Sequence, residues 1–283
     1  MKTGLVLEGG GSRGAYTAGV LDVFKENGIT FDYGAGTSVG SYTLAVFAEG
    51  NTERIKHIFM GGKETKYCGV GELLLHGTYM NVHKLYGKLL NTNPDFDYDA
   101  YFNNPMEKEY VATCCETGKA EYFVDNGDLD TFINIGKASC SLPILCKPFK
   151  IGDKYYMDGS LSDPLPVDRA FERGCDRVMV ISTKGPGMEP SDLGKYGWFM
   201  KIIYPKKFAP FIEAIKCRIP LLMGQYDHVD ELEAEGKVMM LHPRKTAIGH
   251  IEKDASKINE LYLEGRQYAL DNLSEIRDFL GIK

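Results

Sequence analysis

The chain has 283 residues, of which 43% are hydrophobic and 25% are charged, and its net charge is −6. This length and apolar content allow a sizeable core and exclude a chain that is mainly disordered. A pI near 5.6 disfavours bulk nucleic-acid binding, because it gives no net attraction to phosphate backbones. No apolar run approaches the roughly 18 residues of a membrane-spanning helix. Glu8 ends the first apolar run too early for a signal peptide, so we expect a cytoplasmic protein.

The cysteines and histidines predict neither disulfides nor a metal site. Seven cysteines, an odd number, occur without an export signal, which favours reduced thiols. The chain contains no Cys-x-x-Cys pair, and its six histidines do not cluster with the cysteines, so we expect no zinc and no cofactor. Four aspartates recur every five residues, but this spacing matches no calcium-loop template. They are Asp153, Asp158, Asp163 and Asp168.

The first fifty residues predict two strand–turn–helix units. Residues 5–7 are a short apolar run typical of a buried parallel strand, and residues 12–27 follow with helical apolar spacing. A second strand is predicted over about 31–36, and a second helix ends at Gly50. Two such units in succession imply neighbouring parallel strands joined by right-handed crossovers.

The rest of the chain continues the α/β pattern with one interruption. Further strands are predicted at 109–115, 120–124, 154–157 and 177–182, and helical spacing returns over 258–280. Residues 185–224, rich in proline, lysine and aromatics, break the alternation. We interpret residues 1–283 as a single domain with a cap or insertion at about 185–224 and a helical region at about 250–283.

A glycine-rich run, Gly9-Gly10-Gly11-Ser12-Arg13-Gly14, lies where the first predicted strand turns into a helix. Glycines let backbone N–H groups approach a ligand closely, and the helix N-terminus adds partial positive charge. The run matches the dinucleotide fingerprint G-x-G-x-x-G, so a non-catalytic nucleotide-binding module is one hypothesis. That site requires an acidic residue at the end of the second strand, whereas Asp32 lies near the start of that strand.

Gly36-Thr37-Ser38-Val39-Gly40 matches G-x-S-x-G, the pattern of a nucleophile elbow. Both glycine-containing loops follow strands that we expect to be neighbours, so both face one crevice. Ser38 then offers a nucleophile, and the first loop offers backbone donors for an oxyanion. A Ser-His-Asp esterase of the α/β-hydrolase type is an alternative, with His228 or His250 as the base. Only one βα unit precedes Ser38, however, where an ordinary α/β-hydrolase has several.

A third motif, Asp158-Gly159-Ser160, follows the predicted strand 154–157 and the stretch ASCSLP at 138–143. Together with GGGSRG and GTSVG, in this order, it resembles the patatin-like phospholipases, and the resemblance covers about residues 3–182. The family usually has glycine or alanine where Ser160 stands, and often asparagine where Asp163 stands. Because residue 160 is small in every case, we expect the turn to be kept.

The resemblance implies a three-layer α/β/α fold with a mainly parallel central sheet. It also implies a lipid acyl hydrolase of the phospholipase A or lysophospholipase type, with Ser38 as nucleophile and Asp158 as base. Gly9, Gly10 and Gly11 match the oxyanion hole of the family. Arg13 has two possible roles, binding an anionic headgroup or holding the loop by pairing with a carboxylate.

Residues Lys195–Arg218 combine many aromatic and aliphatic side chains with six basic residues and a single acid, a local charge of +5. Such a segment could contact an anionic membrane at the rim of the active site. The alternative is a helical cap whose aromatics are ordinary core. Three prolines, Pro205, Pro210 and Pro220, led us to expect no long helix here.

Overall fold

The computed structural model describes residues 1–60, 67–90, 95–185, 192–245 and 248–282. Within these ranges, eight strands form one sheet. They are β1 (Thr3–Leu7), β2 (Tyr33–Thr37), β3 (Glu107–Cys114), β4 (Ala120–Phe123), β5 (Phe149–Ile151), β6 (Lys154–Asp158), β7 (Arg177–Ile181) and β8 (Val238–Leu241). Part of the predicted insertion, residues 186–191, and the last residue of the predicted helical region lie outside the described residues.

The sheet is mainly parallel, with strand order β5-β6-β3-β2-β1-β7-β8 and with β4 paired to β3. The five strands β3, β2, β1, β7 and β8 are parallel to one another. β4 and β6 run antiparallel to β3, and β5 runs antiparallel to β6. The predicted pairing of the first two strands is therefore confirmed.

Helices cover both faces of the sheet. In order they are α1 (Gly14–Glu26), α2 (Val39–Glu49), α3 (Glu53–Met60), α4 (Val70–His76), α5 (Val82–Lys84), α6 (Tyr98–Asn103), α7 (Leu129–Ser139), α8 (Val167–Glu172), α9 (Gly197–Ile203), α10 (Ala209–Ala234), α11 (Ala255–Asp271) and α12 (Leu273–Leu280). A π-helical turn, Leu85–Leu89, follows α5 directly.

Alternate residues of β1 enter two different cores, as the two-residue period of a strand requires. Leu5 and Leu7 pack in the larger core with α1, α2, α3, α7 and α11. Val6 packs in a second core with α8 and α10. The predicted three-layer α/β/α fold is confirmed, and so is the helical C-terminal region, which the structure resolves into α11 and α12.

Two strands, β5 and β8, and the helices from α3 to α10 were not predicted. β5 and β8 are only three and four residues long, too short for a two-residue period to mark a strand. The expectation of no long helix near Pro210 and Pro220 was wrong, because α10 is 26 residues long and contains both prolines. Pro210 lies in the first turn, where no intrahelical N–H is needed, and burial of Phe211, Leu222 and Val229 stabilises the helix despite Pro220.

α9 is a separate short helix, and Pro205 follows it. None of the helices in the described residues is long and apolar enough to cross a membrane. The arrangement as a single domain stays a prediction.

The register of β3 brings two distant chain segments together. Thr37, the last residue of β2, pairs with Val111, and the next residue, Ala112, pairs with Asp158 at the end of β6. β2 is parallel to β3 and β6 is antiparallel to it, so the carboxyl ends of β2 and β6 meet head-on along one edge of β3. This junction places the loop after β2 beside the loop after β6.

Candidate active site

Ser38 lies between β2 and α2 in a strained backbone conformation, with φ 57° and ψ −124°. A non-glycine residue with positive φ is uncommon and persists only where its surroundings enforce it. Here the Ser38 N–H donates to the Ser139 hydroxyl at 3.1 Å, and the Ser38 carbonyl accepts from the Ser41 hydroxyl at 2.6 Å. Ser38 is 8% exposed. The sharp turn, the strain and the partial access are those of a nucleophile elbow.

Asp158 is fully buried at the end of β6. Its Oδ1 accepts the N–H of Ser160 at 2.9 Å, whereas its Oδ2 is buried without a hydrogen-bond partner of standard geometry among the described residues. Burial raises the pKa of the Asp158 carboxyl, and hydrogen bonding from Ser38 and Ser160 and the charge of Arg218 oppose that rise. A raised pKa makes this carboxylate a stronger base than an ordinary aspartate.

The glycine-rich loop after β1 packs directly against Ser38. A Cβ atom at Gly9 would lie 2.9 Å from the Cβ of Ser38, so a larger residue would push the two loops apart. Gly11 has φ +59°, and a Cβ there would collide with the carbonyl oxygen of His250. In the described part of the chain, the N–H groups of Gly9, Gly10 and Gly11 donate to no backbone or side-chain acceptor. They are therefore free to donate to an oxyanion formed at Ser38.

A buried ion pair holds the start of the glycine-rich loop. Glu8 pairs with Lys184 and accepts hydrogen bonds from the Thr183 N–H and the Ser182 hydroxyl, both at 2.7 Å. Burial would raise the pKa of Glu8, but the Lys184 charge and these hydrogen bonds bring it below its ordinary value. The loop is thus anchored to the segment that follows β7.

Arg13 is buried, and its Nε donates to the carbonyl oxygen of Ile248 at 3.0 Å. Its Nη1 atom is buried with no hydrogen-bond partner in the described residues. The observed contact ties the glycine-rich loop to the segment before α11. It involves a backbone carbonyl instead of the carboxylate that we expected for a loop-holding role.

Neither histidine proposed as an alternative base has a described hydrogen bond to Ser38. His228 lies on α10 and pairs with Asp168, 3.0 Å away. Burial and neighbouring cations lower the pKa of His250 to about 4, so this ring is neutral at physiological pH, and it hydrogen-bonds to the backbone of Gly10. Asp32, the acid considered for a nucleotide site, accepts the N–H of Thr3 at 2.7 Å, at the opposite end of β1 from the glycine-rich loop.

A small pocket opens beside the Ser38 side chain. Apart from Gly11 and Ser38, its lining is almost entirely apolar or aromatic. The lining includes Val39, Tyr42, Ile58, Phe59, Met80, Leu85 and Leu142. Such a surface suits a hydrocarbon chain attached to the carbonyl group under attack.

All seven cysteines are free thiols in the structure. Within the described ranges, no group of three or more histidine, cysteine, aspartate or glutamate side chains could hold a metal ion. Asp163, one of the regularly spaced aspartates, accepts hydrogen bonds from Tyr122 and Gln225, both at 2.6 Å. Its role in the described structure is to fix the loop after β6.

Three contributors to the site were not identified from the sequence. Ser139, whose hydroxyl accepts the Ser38 N–H, lies within the ASCSLP stretch, so that motif could have identified it. Lys184 and Arg218 lie far along the chain, in no recognisable motif. Only the tertiary structure brings them to the catalytic loops.

Two family sequence models match the chain. The model of the family described as Patatin-like phospholipase matches residues 5–171, and a domain of unknown function (DUF6363) matches residues 210–281. The first match contains both catalytic candidates and the glycine-rich loop; the second contains most of α10 together with β8 and α11.

Curated relatives agree with the first family. Lysophospholipase NTE1 of Candida glabrata is 23% identical over 94% of this chain, and the mouse patatin-like phospholipase domain-containing protein 6 is 26% identical over 93%. The chain spans only 16% and 20% of the lengths of these two relatives. Among solved structures, VipD from Legionella pneumophila matches with a TM-score of 0.56 at 13% identity, over 97% of this chain and 67% of VipD, which supports the fold alone. The chain belongs to the patatin-like phospholipase family.

Proposed function

We propose that this protein is a serine lipid acyl hydrolase in which Ser38 and Asp158 form a catalytic dyad. The proposal rests chiefly on one observation: the β2–β6 junction brings a strained serine to a fully buried carboxyl group with a raised pKa. Family membership supports a lipid ester as the substrate.

In the proposed reaction, the Oγ of Ser38 attacks the ester carbonyl carbon while Asp158 accepts the hydroxyl proton. The N–H groups of Gly9, Gly10 and Gly11 donate to the developing oxyanion. Collapse of the tetrahedral intermediate breaks the ester bond, and Asp158 returns the proton to the departing alcohol. A water molecule then loses a proton to Asp158 and attacks the acyl-enzyme. As the bond between the acyl group and Ser38 breaks, Asp158 gives that proton to the Oγ of Ser38 and a fatty acid is released.

We further propose that the enzyme approaches its substrate from a membrane surface. The segment Lys195–Arg218 has two distinct halves. In the α10 half, Phe211, Ile212 and Ile215 are buried as ordinary core, whereas in the α9 half Trp198 is 68% exposed and Ile202 is 72% exposed. The exposed α9 half supports the hypothesis that the segment contacts a membrane at the rim of the active site. The buried α10 half supports the alternative that the segment is a helical cap.

α4 adds to the same exposed apolar surface. None of its residues is buried; Leu74 is 81% exposed and Leu75 is 80% exposed. Gly77, which caps α4, lines one groove together with Ile144 and Ile203. Lys147 and Lys207 line the same groove, and exposed apolar groups beside lysines match the chemistry of an anionic bilayer surface.

Release of fatty acid from lysophospholipid and phospholipid vesicles tests the proposed reaction. Ser38→Ala and Asp158→Asn should each lower turnover by at least a thousandfold while circular dichroism stays unchanged. Because the two groups act as a unit, the double variant should be little worse than either single one. Activity of Asp158→Asn within tenfold of the wild-type value would contradict the dyad.

A further inference from the structure

α10 contacts the loop that carries Asp158. Arg218 is 6% exposed, and its Nε donates to the carbonyl oxygen of Ser160 at 3.0 Å. Ser160 in turn donates its N–H to Oδ1 of Asp158 at 2.9 Å. About two helical turns further along, Gln225 accepts the N–H of Leu165 and donates to Asp163. The helix thus binds both ends of the loop after β6.

The segment before α11 contacts the other catalytic loop. The N–H of Ser12 donates to the carbonyl oxygen of His250 at 2.9 Å, and the N–H of Glu252 donates to the Ser12 hydroxyl at 3.1 Å. The Arg13 side chain donates to Ile248. Three successive hydrogen bonds therefore fix the turn directly after the proposed oxyanion donors.

Each of these contacts joins a residue of the region matched by the domain of unknown function to a loop within the part matched by the patatin family. We propose that this C-terminal region completes the active site by holding the two catalytic loops in register, with Arg218 as a positioning residue for Asp158. This inference rests on the proposed function, because it assigns the region a role in that same reaction.

The charge of Arg218 adds a second effect to its hydrogen bond. It lowers the pKa of Asp158 and so keeps more of the buried carboxyl ionised as the base. The other groups that interact electrostatically with Asp158 are Ser38, Ser160, Cys140 and Cys146. None of these four groups carries a positive charge, so removal of Arg218 takes away a charge that favours the ionised form of Asp158.

The test compares Arg218→Gln with the wild-type enzyme on a soluble short-chain ester. We expect kcat to fall at least thirtyfold with KM changed less than threefold, because the loss concerns the base and leaves the acyl pocket intact. The acid limb of the kcat/KM profile should move to higher pH, since Asp158 would then ionise less readily. Lys216→Gln removes the same charge from an exposed site on the same helix and should change neither quantity.

A second variant, Arg218→Lys, separates a loss of folding from a loss of the positioning of Asp158. It retains the cation and a hydrogen-bond donor on a flexible stem, so we expect a normal acid limb with kcat between those of Arg218→Gln and the wild type. If Arg218→Gln does not fold, Arg218→Lys with a wild-type kcat would overturn the positioning role. Folded Arg218→Gln with wild-type kcat and pH profile would overturn it as well. If the wild type itself does not hydrolyse esters through Ser38, the proposed function fails instead.

Discussion

Burial of the carboxylate that we propose as the base imposes a cost on the folded state. Asp158 has no direct cation contact of the kind that Lys184 gives Glu8, and one of its oxygens lacks a standard partner among the described residues. Burial raises its pKa above the value of about 3.9 for an unfolded aspartate. The protonated form of Asp158 therefore favours the folded state over the unfolded chain. This contribution to stability is complete below the pKa that Asp158 has in the unfolded chain, and it is lost as the pH rises through the pKa that it has in the folded protein.

Asp158→Asn should make the protein more stable at neutral pH while it removes activity. We expect a gain on the order of 1 kcal/mol in the free energy of unfolding at pH 7, which is the usual size for a stabilising substitution. The gain should shrink as pH is lowered towards 4, because the wild-type carboxyl then becomes neutral too. Urea unfolding at several pH values measures this.

Asp153→Asn provides the matched control, since Asp153 is exposed and only five residues away. It should alter stability by less than about 0.5 kcal/mol at any pH. A loss of stability in Asp158→Asn at pH 7, in a variant that still folds, would show that the ionised carboxylate stabilises the native state and would contradict the account of its burial.

At the scale of elements, the sequence predicted those strands and helices whose own residues show a clear pattern of apolar residues and turn glycines. β1, β2 and their following helices were recognisable because apolar runs end in glycine-rich turns. α10 was not, since its hydrophobic residues are interleaved with charged residues and two prolines, and its stability comes from burial against β-strands distant in sequence. β8 is a four-residue edge strand whose partner, β7, lies some sixty residues earlier.

The exposed surface of α4 makes a second prediction. Leu74→Glu combined with Leu75→Glu should reduce binding to anionic vesicles and hydrolysis of vesicle lipid at least tenfold, because two apolar contacts with the bilayer become charged. Cleavage of a soluble short-chain ester should stay within twofold, as both side chains already face solvent. Co-sedimentation with vesicles and a parallel esterase assay give the two readouts.

The control for that surface is Leu263→Glu, a half-exposed leucine on α11. It should leave vesicle binding unchanged. Equal losses of vesicle binding in Leu263→Glu and the α4 variant would mean that added negative charge alone weakens binding. Unchanged vesicle binding in the α4 variant would remove α4 from the membrane-facing surface.

At the scale of the whole molecule, the two residues of the proposed dyad are 120 positions apart in sequence. They come together because β2 and β6 pair with adjacent residues of β3. The G-x-S-x-G pattern pointed to Ser38 as a candidate nucleophile, and the family resemblance pointed to Asp158 as its candidate base. The supporting groups could not be selected in this way. Lys184 and Arg218 act through single contacts that depend on how β7 and α10 pack against the loops, and no local pattern encodes that packing.

The most direct test of the dyad is covalent labelling of the intact protein with a fluorophosphonate, read by intact mass and peptide mapping. We predict one adduct on Ser38, no adduct in Ser38→Ala, and labelling slowed at least a hundredfold in folded Asp158→Asn, because the hydroxyl then lacks its base. Labelling that persists in Ser38→Ala, or that proceeds at the wild-type rate in Asp158→Asn, would contradict the central claim that Ser38 is a nucleophile activated by Asp158.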